Sequence, residues 1–529
     1  MNKIQIKQLI VLALISSLPF FAVAQSQKPN WFNLDLKTDT VFGISTEKAY
    51  QELLKGKKSK TVIVGILDSG VDTDHEDLNT LVWVNKKEKK GKEGKDDDKN
   101  GYVDDVLGWS FLGGKDGSID HEALEVTRLV RRDAVRFANV TPETVPAADK
   151  ADYEAYLAHK KVVEEGLKKA ESSLKGYENI KTAIENFVKK LGKDNPTLED
   201  IKNYTPEGQM ETSIKGLLIR GMAKGDYQSF YDTQIKPAYD YFSGQVKYNY
   251  NVDYNPRGIV GDNPEDSSER FYGNTDSKGP DPSHGTHVAG IVGAIRNNGI
   301  GMNGVADNVQ LMTVRCVPDG DERDKDVANA IRYAVDNGAK VLNMSFGKAY
   351  SYDKKVVDDA VKYAVSKDVL LVHAAGNDNK DLDKEDNFPT NKYEDGTLAA
   401  TWLTVGASTP YNDKRLKASF SNYGKTTVDV FAPGFQIYST YPNQKYQDNN
   451  GTSMASPVVA GLAALIRSYY PKLSAKQVKE IIMKSVEKVD FSVDIRKGTE
   501  TVSVPFSDIC VSGGVVNAYN ALKLAATYK

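Results

Sequence analysis

Five short apolar runs, 61–67, 309–317, 340–344, 369–374 and 402–405, constrain the fold of this chain more than any other feature. They are rich in β-branched and aliphatic residues, the pattern of strands buried on both faces. Helical patterns at 288–296, 326–337 and 354–366 lie between them. Strands with two buried faces need helices on both sides, so the alternation predicts an α/β fold with a doubly wound, mostly parallel sheet. Ligands of such sheets bind at the carboxyl ends of the strands. The first run ends at Asp68-Ser69-Gly70, which places an acid at one of those ends.

The alternation stops between 115 and 270, where charged, Ala-rich sequence takes over. From Val163 the apolar positions run Leu167, Ala170, Leu174, Tyr177, Ile184, Val188 and Leu191, with a break at Lys181 that Ile180 partly fills. That 3–4 spacing is a heptad seam. Gly166 and Gly176 weaken the helix it predicts. Further helical patterns cover 210–224 and 227–248. The expectation is a helical insertion over 115–270 that packs on itself inside an α/β domain made of 25–114 and 271–529.

The chain of 529 residues is 40% hydrophobic and 27% charged, with a net charge of −3. That balance gives no electrostatic case for a nucleic-acid or membrane-surface partner. At the N-terminus, Lys3 and Lys7 precede an apolar stretch over 9–21, and Ala22-Val23-Ala24 is a small-x-small cleavage site. The segment 1–24 reads as a secretory signal peptide, too short to span a bilayer, so the mature chain is expected to be exported to a periplasm or the medium. Cys316 and Cys510 have no disulfide or metal spacing and read as separate buried thiols.

Four motifs carry chemistry. Ser453 lies in Gly451-Thr452-Ser453-Met454-Ala455-Ser456-Pro457, ahead of an apolar run over 458–466 that suits a buried helix. A hydroxyl at a helix N-terminus has backbone N–H groups beside it that can stabilise an oxyanion; the same position suits a simple N-cap serine. His284, in Ser283-His284-Gly285-Thr286-His287, is the candidate general base, because its ordinary pKa suits proton exchange near neutrality. Asp68 could accept the other ring N–H and fix the tautomer. Asn377, in Ala374-Ala375-Gly376-Asn377, could donate its amide to the oxyanion. Taken singly, Asp68 also reads as a cap, His284 as a helix-start histidine and Asn377 as a turn residue.

Together and in this order, these motifs resemble the subtilisin-like serine peptidases, whose Asp…His…Ser order is an established pattern. The resemblance covers roughly 38–114 and 271–529. It implies an exported serine endopeptidase that works through an acyl-enzyme, with Asp68 orienting, His284 as base, Ser453 as nucleophile and Asn377 as oxyanion donor. It implies that Ser345-Phe346-Gly347 is the substrate strand, on which a polypeptide pairs, with 318–320 as the opposite wall. His75, His287 and His373 look structural. The loop 297–302 resembles the family's stabilising calcium loop, so Asp77 and Asn298 side chains with Ile300 and Met302 carbonyls are expected ligands. A second acidic run, with Asp96, Asp98, Asn100 and Asp104, has the D-x-D-x-N-G spacing of a calcium loop, but Leu107 stands where such loops carry Glu. No organic cofactor is implied.

The chain departs from the family at Val458, where many relatives have histidine, and in the 216 positions between Asp68 and His284. Cleavage after Ala24 would leave 43 residues before Asp68, short of the family's usual folding propeptide. A different class of function, an inactive exported peptide-binding or scaffolding protein using the helical arm, has the complete set of catalytic motifs against it. The arm reads either as a lid or partner-docking device or as a surface elaboration with its own core, and its seam could pair with a second copy.

Overall fold

The structure, a computed structural model, describes residues 27–528, so the signal peptide expected over 1–24 lies outside it. The chain forms two compact units, Ser26–Glu125 with Asn255–Lys529, and Val126–Tyr254. The strands that matter are β1 (Val62–Asp68), β2 (Gly108–Ser110), β3 (Val309–Arg315), β4 (Val341–Met344), β5 (Leu370–Ala374), β6 (Trp402–Ser408), β7 (Val430–Pro433), β8 (Glu487–Lys488) and β9 (Gly514–Val515). The helices are α1 (Glu125–Arg136), α2 (Lys150–Leu191), α3 (Gln209–Gly221), α4 (Ser283–Gly293), α5 (Asp324–Asp336), α6 (Lys354–Ser366) and α7 (Thr452–Tyr469). No described helix is long and apolar enough to cross a membrane.

In the larger unit the nine strands form one sheet in the order β8-β9-β7-β6-β5-β4-β1-β3-β2. Every neighbouring pair is parallel except β8 with β9. All five apolar runs lie in this sheet. Successive side chains of β1 face opposite sides, so Val64 and Ile66 pack with α4 and α7 while Leu67 packs with α5 and α6. Helix α7 is buried at every position from Val458 to Ile466, the all-round apolar pattern of a helix inside a core. Chain order reverses about β1, which lies between β3 and β4, so a crevice opens at the carboxyl end of β1.

The smaller unit is helical. Its α2 runs for 42 residues and buries Val163, Ala170, Ile180, Ile184 and Val188, the stripe expected from the heptad seam. A Cβ on Gly166 would lie 2.4 Å from the Tyr250 ring, so this glycine trades helix propensity for close packing. Phe187, Leu217, Leu218 and Phe230 complete a core with Ile184. Residues 115–125 and 255–270 belong to the larger unit. There Asp319 N–H donates to Asp120 O at 2.8 Å, and Glu122 N–H donates to Asp319 O at 2.9 Å.

Candidate active site

Strand β1 carries Asp68 to the crevice and buries it to 1% exposure. One of its carboxylate oxygens accepts the Ser69 N–H at 2.8 Å and the His284 Nδ1–H at 2.6 Å. Two glycines allow this approach. A Cβ on Gly285 would stand 2.1 Å from Gly70 O, and Gly70 itself has φ +120°, a conformation that favours glycine. The start of α4 therefore rests directly on the Asp68–Gly70 turn. With Nδ1 committed to Asp68, Nε2 of His284 is the ring nitrogen left to take a proton. Burial opposes charge on this ring, but the Asp68 charge and hydrogen bond outweigh it. With a smaller contribution from Asp281, they raise the His284 pKa above its ordinary value.

Ser453 is the second residue of α7 and lines the same cleft as His284, a space of about 580 Å³. Pro457, inside the helix, has no N–H to offer the Ser453 carbonyl four residues back. Ser345 Oγ supplies the missing donor at 2.8 Å, and Ser453 Oγ in turn donates to Ser345 O at 3.1 Å. Asn343 Nδ2 donates to Ser345 Oγ at 2.9 Å, and Ser456 Oγ donates to Asn343 Oδ1 at 2.9 Å. This chain of bonds ties the reactive turn to the end of β4, and its polar members Asn343 and Ser456 carried no sequence signal.

Asn377 lies in the cleft lining after β5. Its Oδ1 accepts the Thr452 N–H at 2.9 Å and the Thr452 hydroxyl at 3.0 Å. The oxygen is thus committed, and the amide nitrogen is the end that can serve an oxyanion. Ser345, Phe346 and Gly347 form one side of the cleft, with Val317 to Gly320 also in its lining. Asp120, Asp281, Asp319 and Asp378 line the cleft too, together with His121 and Arg315. Arg315 is 1% exposed and points its guanidinium at the Ser69 and Ile119 carbonyls and the Ser110 hydroxyl.

Of the other histidines, His121 lines the cleft with its Nδ1 2.9 Å from Asp319 Oδ2, whereas His75, His287 and His373 are held away from it. His75 sits between Lys445 O and the Asp77 N–H, and His287 bonds the Ile437 and Gln447 carbonyls at 3.0 Å. Burial pushes the pKa of His287 and of His373 down to about 4. Cys316 and Cys510 are buried and unpaired.

Of the expected calcium ligands, Asn298 places its amide 2.6 Å from Asp77 Oδ1. The other Asp77 oxygen, Oδ2, is buried without a hydrogen-bond partner, and burial raises this carboxyl's pKa despite the Asn298 and Met302 hydrogen bonds. An orphaned, desolvated carboxylate oxygen fits a hard cation, although Asn298 turns its NH2 to Asp77 while its Oδ1 accepts the Ile300 N–H. In the second loop, Asp96 accepts the Asn100 and Gly101 N–H groups and Asp104 accepts that of Gly94. Asn100 Nδ2 donates to Asp105 Oδ2 at 2.9 Å. Asp98 comes together instead with Glu88 and Asp105, each offering one oxygen within 4.8 Å of the others. Glu88 and Asp105 stand outside the spacing pattern, which is why sequence reasoning missed them.

A model described as the subtilase family matches residues 59–501. The chain belongs to the subtilase family. It is 39% identical over 241 residues to the "Thermophilic serine proteinase" of Bacillus sp. (strain AK1), covering 45% of this chain and 52% of that one. To "Thermitase" of Thermoactinomyces vulgaris it is 38% identical over 241 residues, covering 45% and 75% respectively. To "Subtilisin DY" of Bacillus licheniformis it is 38% identical over 226 residues, covering 42% and 76%. This subtilase thus spans about half the length of the first of these relatives.

Proposed function

We propose that this subtilase is an exported serine endopeptidase that cleaves polypeptides through an acyl-enzyme on Ser453. The observation that carries the reading is the Asp68–His284 bond of 2.6 Å in a cleft shared with Ser453 and Asn377. In the first step Ser453 Oγ leaves Ser345 O and attacks the scissile carbonyl while His284 Nε2 takes its proton. The oxyanion receives the Asn377 amide and the backbone N–H of Ser453. His284 then passes the proton to the leaving amine, and the Ser453 ester forms as the peptide bond breaks. Water, deprotonated by His284, attacks this ester and releases the acyl product and Ser453. Throughout, Asp68 keeps the ring in one tautomer and stabilises the imidazolium.

The acyl side of the substrate pairs as an added strand along Ser345–Gly347, with Val317–Gly320 facing it. A calcium ion held by Asp77, Asn298 and the carbonyls of Ile300 and Met302 would stabilise the loop against α4 without entering the reaction. Export rests on the sequence of 1–24. Casein hydrolysis by the secreted chain tests the proposal: Ser453→Ala abolishes it, and hydrolysis that persists in the purified variant contradicts a Ser453 nucleophile.

A further inference from the structure

Lysine is among the residues that water holds most strongly, yet Lys348, the residue after the Ser345–Gly347 strand, is only 4% exposed. A buried ammonium is tolerated where its protons are taken by oxygens, and this one meets Glu125 on one segment and Glu322 and Asp324 on another. It pairs with Glu125 Oε2 and with Asp324 Oδ1 at 2.7 Å, and it donates to the Glu322 carbonyl at 2.7 Å. Glu125 and Asp324 are themselves buried, with side chains 1% and 5% exposed. The backbone of Lys348 is equally committed. Its N–H donates to Phe388 O at 3.0 Å, and its carbonyl accepts the Phe388 N–H at 2.8 Å. Phe388 follows Asn387, whose side chain lies within 2.7 Å of where a Gly347 Cβ would stand.

Lys348 continues the substrate strand, and its partners belong to the facing wall loop and to the start of α1. Glu322 and Asp324 follow the 317–320 wall, and Asn387 lines the cleft beside the strand. Glu125 opens α1, and its N–H donates to Asp321 Oδ2 at 2.8 Å in the same wall loop. A second buried pair, Arg323 Nε with Glu122 Oε2 at 2.8 Å, reinforces the junction. Asp324 would survive loss of the lysine, because its other oxygen already accepts the Ser351 hydroxyl and the Tyr352 and Asp353 N–H groups.

We propose that Lys348 is a positioning residue that fixes the spacing between the substrate strand and the facing wall, and so governs how an extended peptide pairs there. It touches neither the reacting atoms nor the substrate. Its effect is to make the two sides of the groove one rigid frame, which an extended substrate needs and a small acylating reagent does not. The inference rests on the serine-peptidase reading of the cleft.

The test compares two probes on the full-length mature chain. One is a fluorophosphonate, which reacts at Ser453 without strand pairing; the other is a tetrapeptide p-nitroanilide that the wild type cleaves. Lys348→Met with Glu125→Gln removes the pair without leaving Glu125 charged. The expected result is a KM for the tetrapeptide at least tenfold higher, with the fluorophosphonate labelling rate within threefold of wild type. Glu125→Gln alone, which leaves Lys348 its Asp324 and Glu322 partners, raises KM about threefold and serves if the double variant does not fold. Unchanged KM in whichever variant folds overturns the inference, and so does a loss of labelling equal to the loss in kcat/KM, which marks general disruption. A wild type that takes no label overturns the peptidase reading itself, so the two failures are distinguishable.

Discussion

Asp68 governs His284 by two routes, a hydrogen bond that fixes the tautomer and a charge that favours the imidazolium. In the proposed mechanism the base works in its neutral form, so a raised pKa means that activity is lost as pH falls, and lost early. The acid limb of kcat/KM is expected at a midpoint above about 6.5, the ordinary histidine value. Asp281 contributes to the same shift from a greater remove. Asp281→Asn therefore moves the acid limb to lower pH while leaving activity at pH 8 near wild type, which a pH–rate profile of both enzymes checks. For the oxyanion the relevant residue is Asn377, whose oxygen is held by Thr452. Asn377→Ala removes a donor that matters in the transition state, so kcat falls by about 10²–10³ with KM little changed. Motifs pointed to Asp68, His284, Ser453 and Asn377, and the structure places His284, Ser453 and Asn377 in one cleft with Asp68 bonded to His284. Lys348 was not legible, since a lysine in sequence reads as solvated surface and its partners at 125 and 324 are distant in the chain.

At the scale of elements, the runs at 61–67, 309–317, 340–344, 369–374 and 402–405 were readable as strands because burial on both faces leaves them apolar throughout. Strands β2, β8 and β9 were not, because two or three residues carry no periodicity. Helix α7 was visible from its apolar run, but its start at Thr452 depends on a side chain elsewhere: Ser345 replaces the hydrogen bond that Pro457 cannot make. The metal loops divide in the same way. Asp77 and Asn298 lie together, whereas in the second acidic run Asp96, Asp104 and Glu88 all accept backbone N–H groups, and Glu88 and Asp105 gather around Asp98. Spacing does not report which carboxylates a turn consumes for its own amides. If Asp77 holds calcium, binding at a hundredfold over Kd stabilises by about 2.7 kcal/mol. Chelation should then lower Tm by roughly 3 °C for a unit of this size, at about 2 cal/mol/K of unfolding entropy per residue. Asp77→Ala starts from the lower Tm and no longer responds to chelator, which differential scanning calorimetry with and without EDTA checks.

Over the whole molecule, the helical segment and the sheet carry separate hydrophobic cores, one around Ile184, Leu218 and Phe230 and the others on the two faces of the sheet. The heptad seam foretold that separation, since a helix with its own apolar stripe has a core to build. The limits of the compact unit, Val126–Tyr254, were not foretold. Residues 119–125 carry acids that look like exposed arm sequence, yet Glu122 and Glu125 are buried in ion pairs with Arg323 and Lys348. The sheet and helices α4 and α7 bring Asp68, His284, Ser453 and Asn377 together, and the proposed chemistry rests on those four side chains. The most direct test of that account is to treat the mature chain with a fluorophosphonate, digest it and locate the label by mass spectrometry. The account predicts one modified site at Ser453, absent in Ser453→Ala and slowed severalfold or more in His284→Ala; a folded, unlabelled chain, or a label on any other serine, would contradict it.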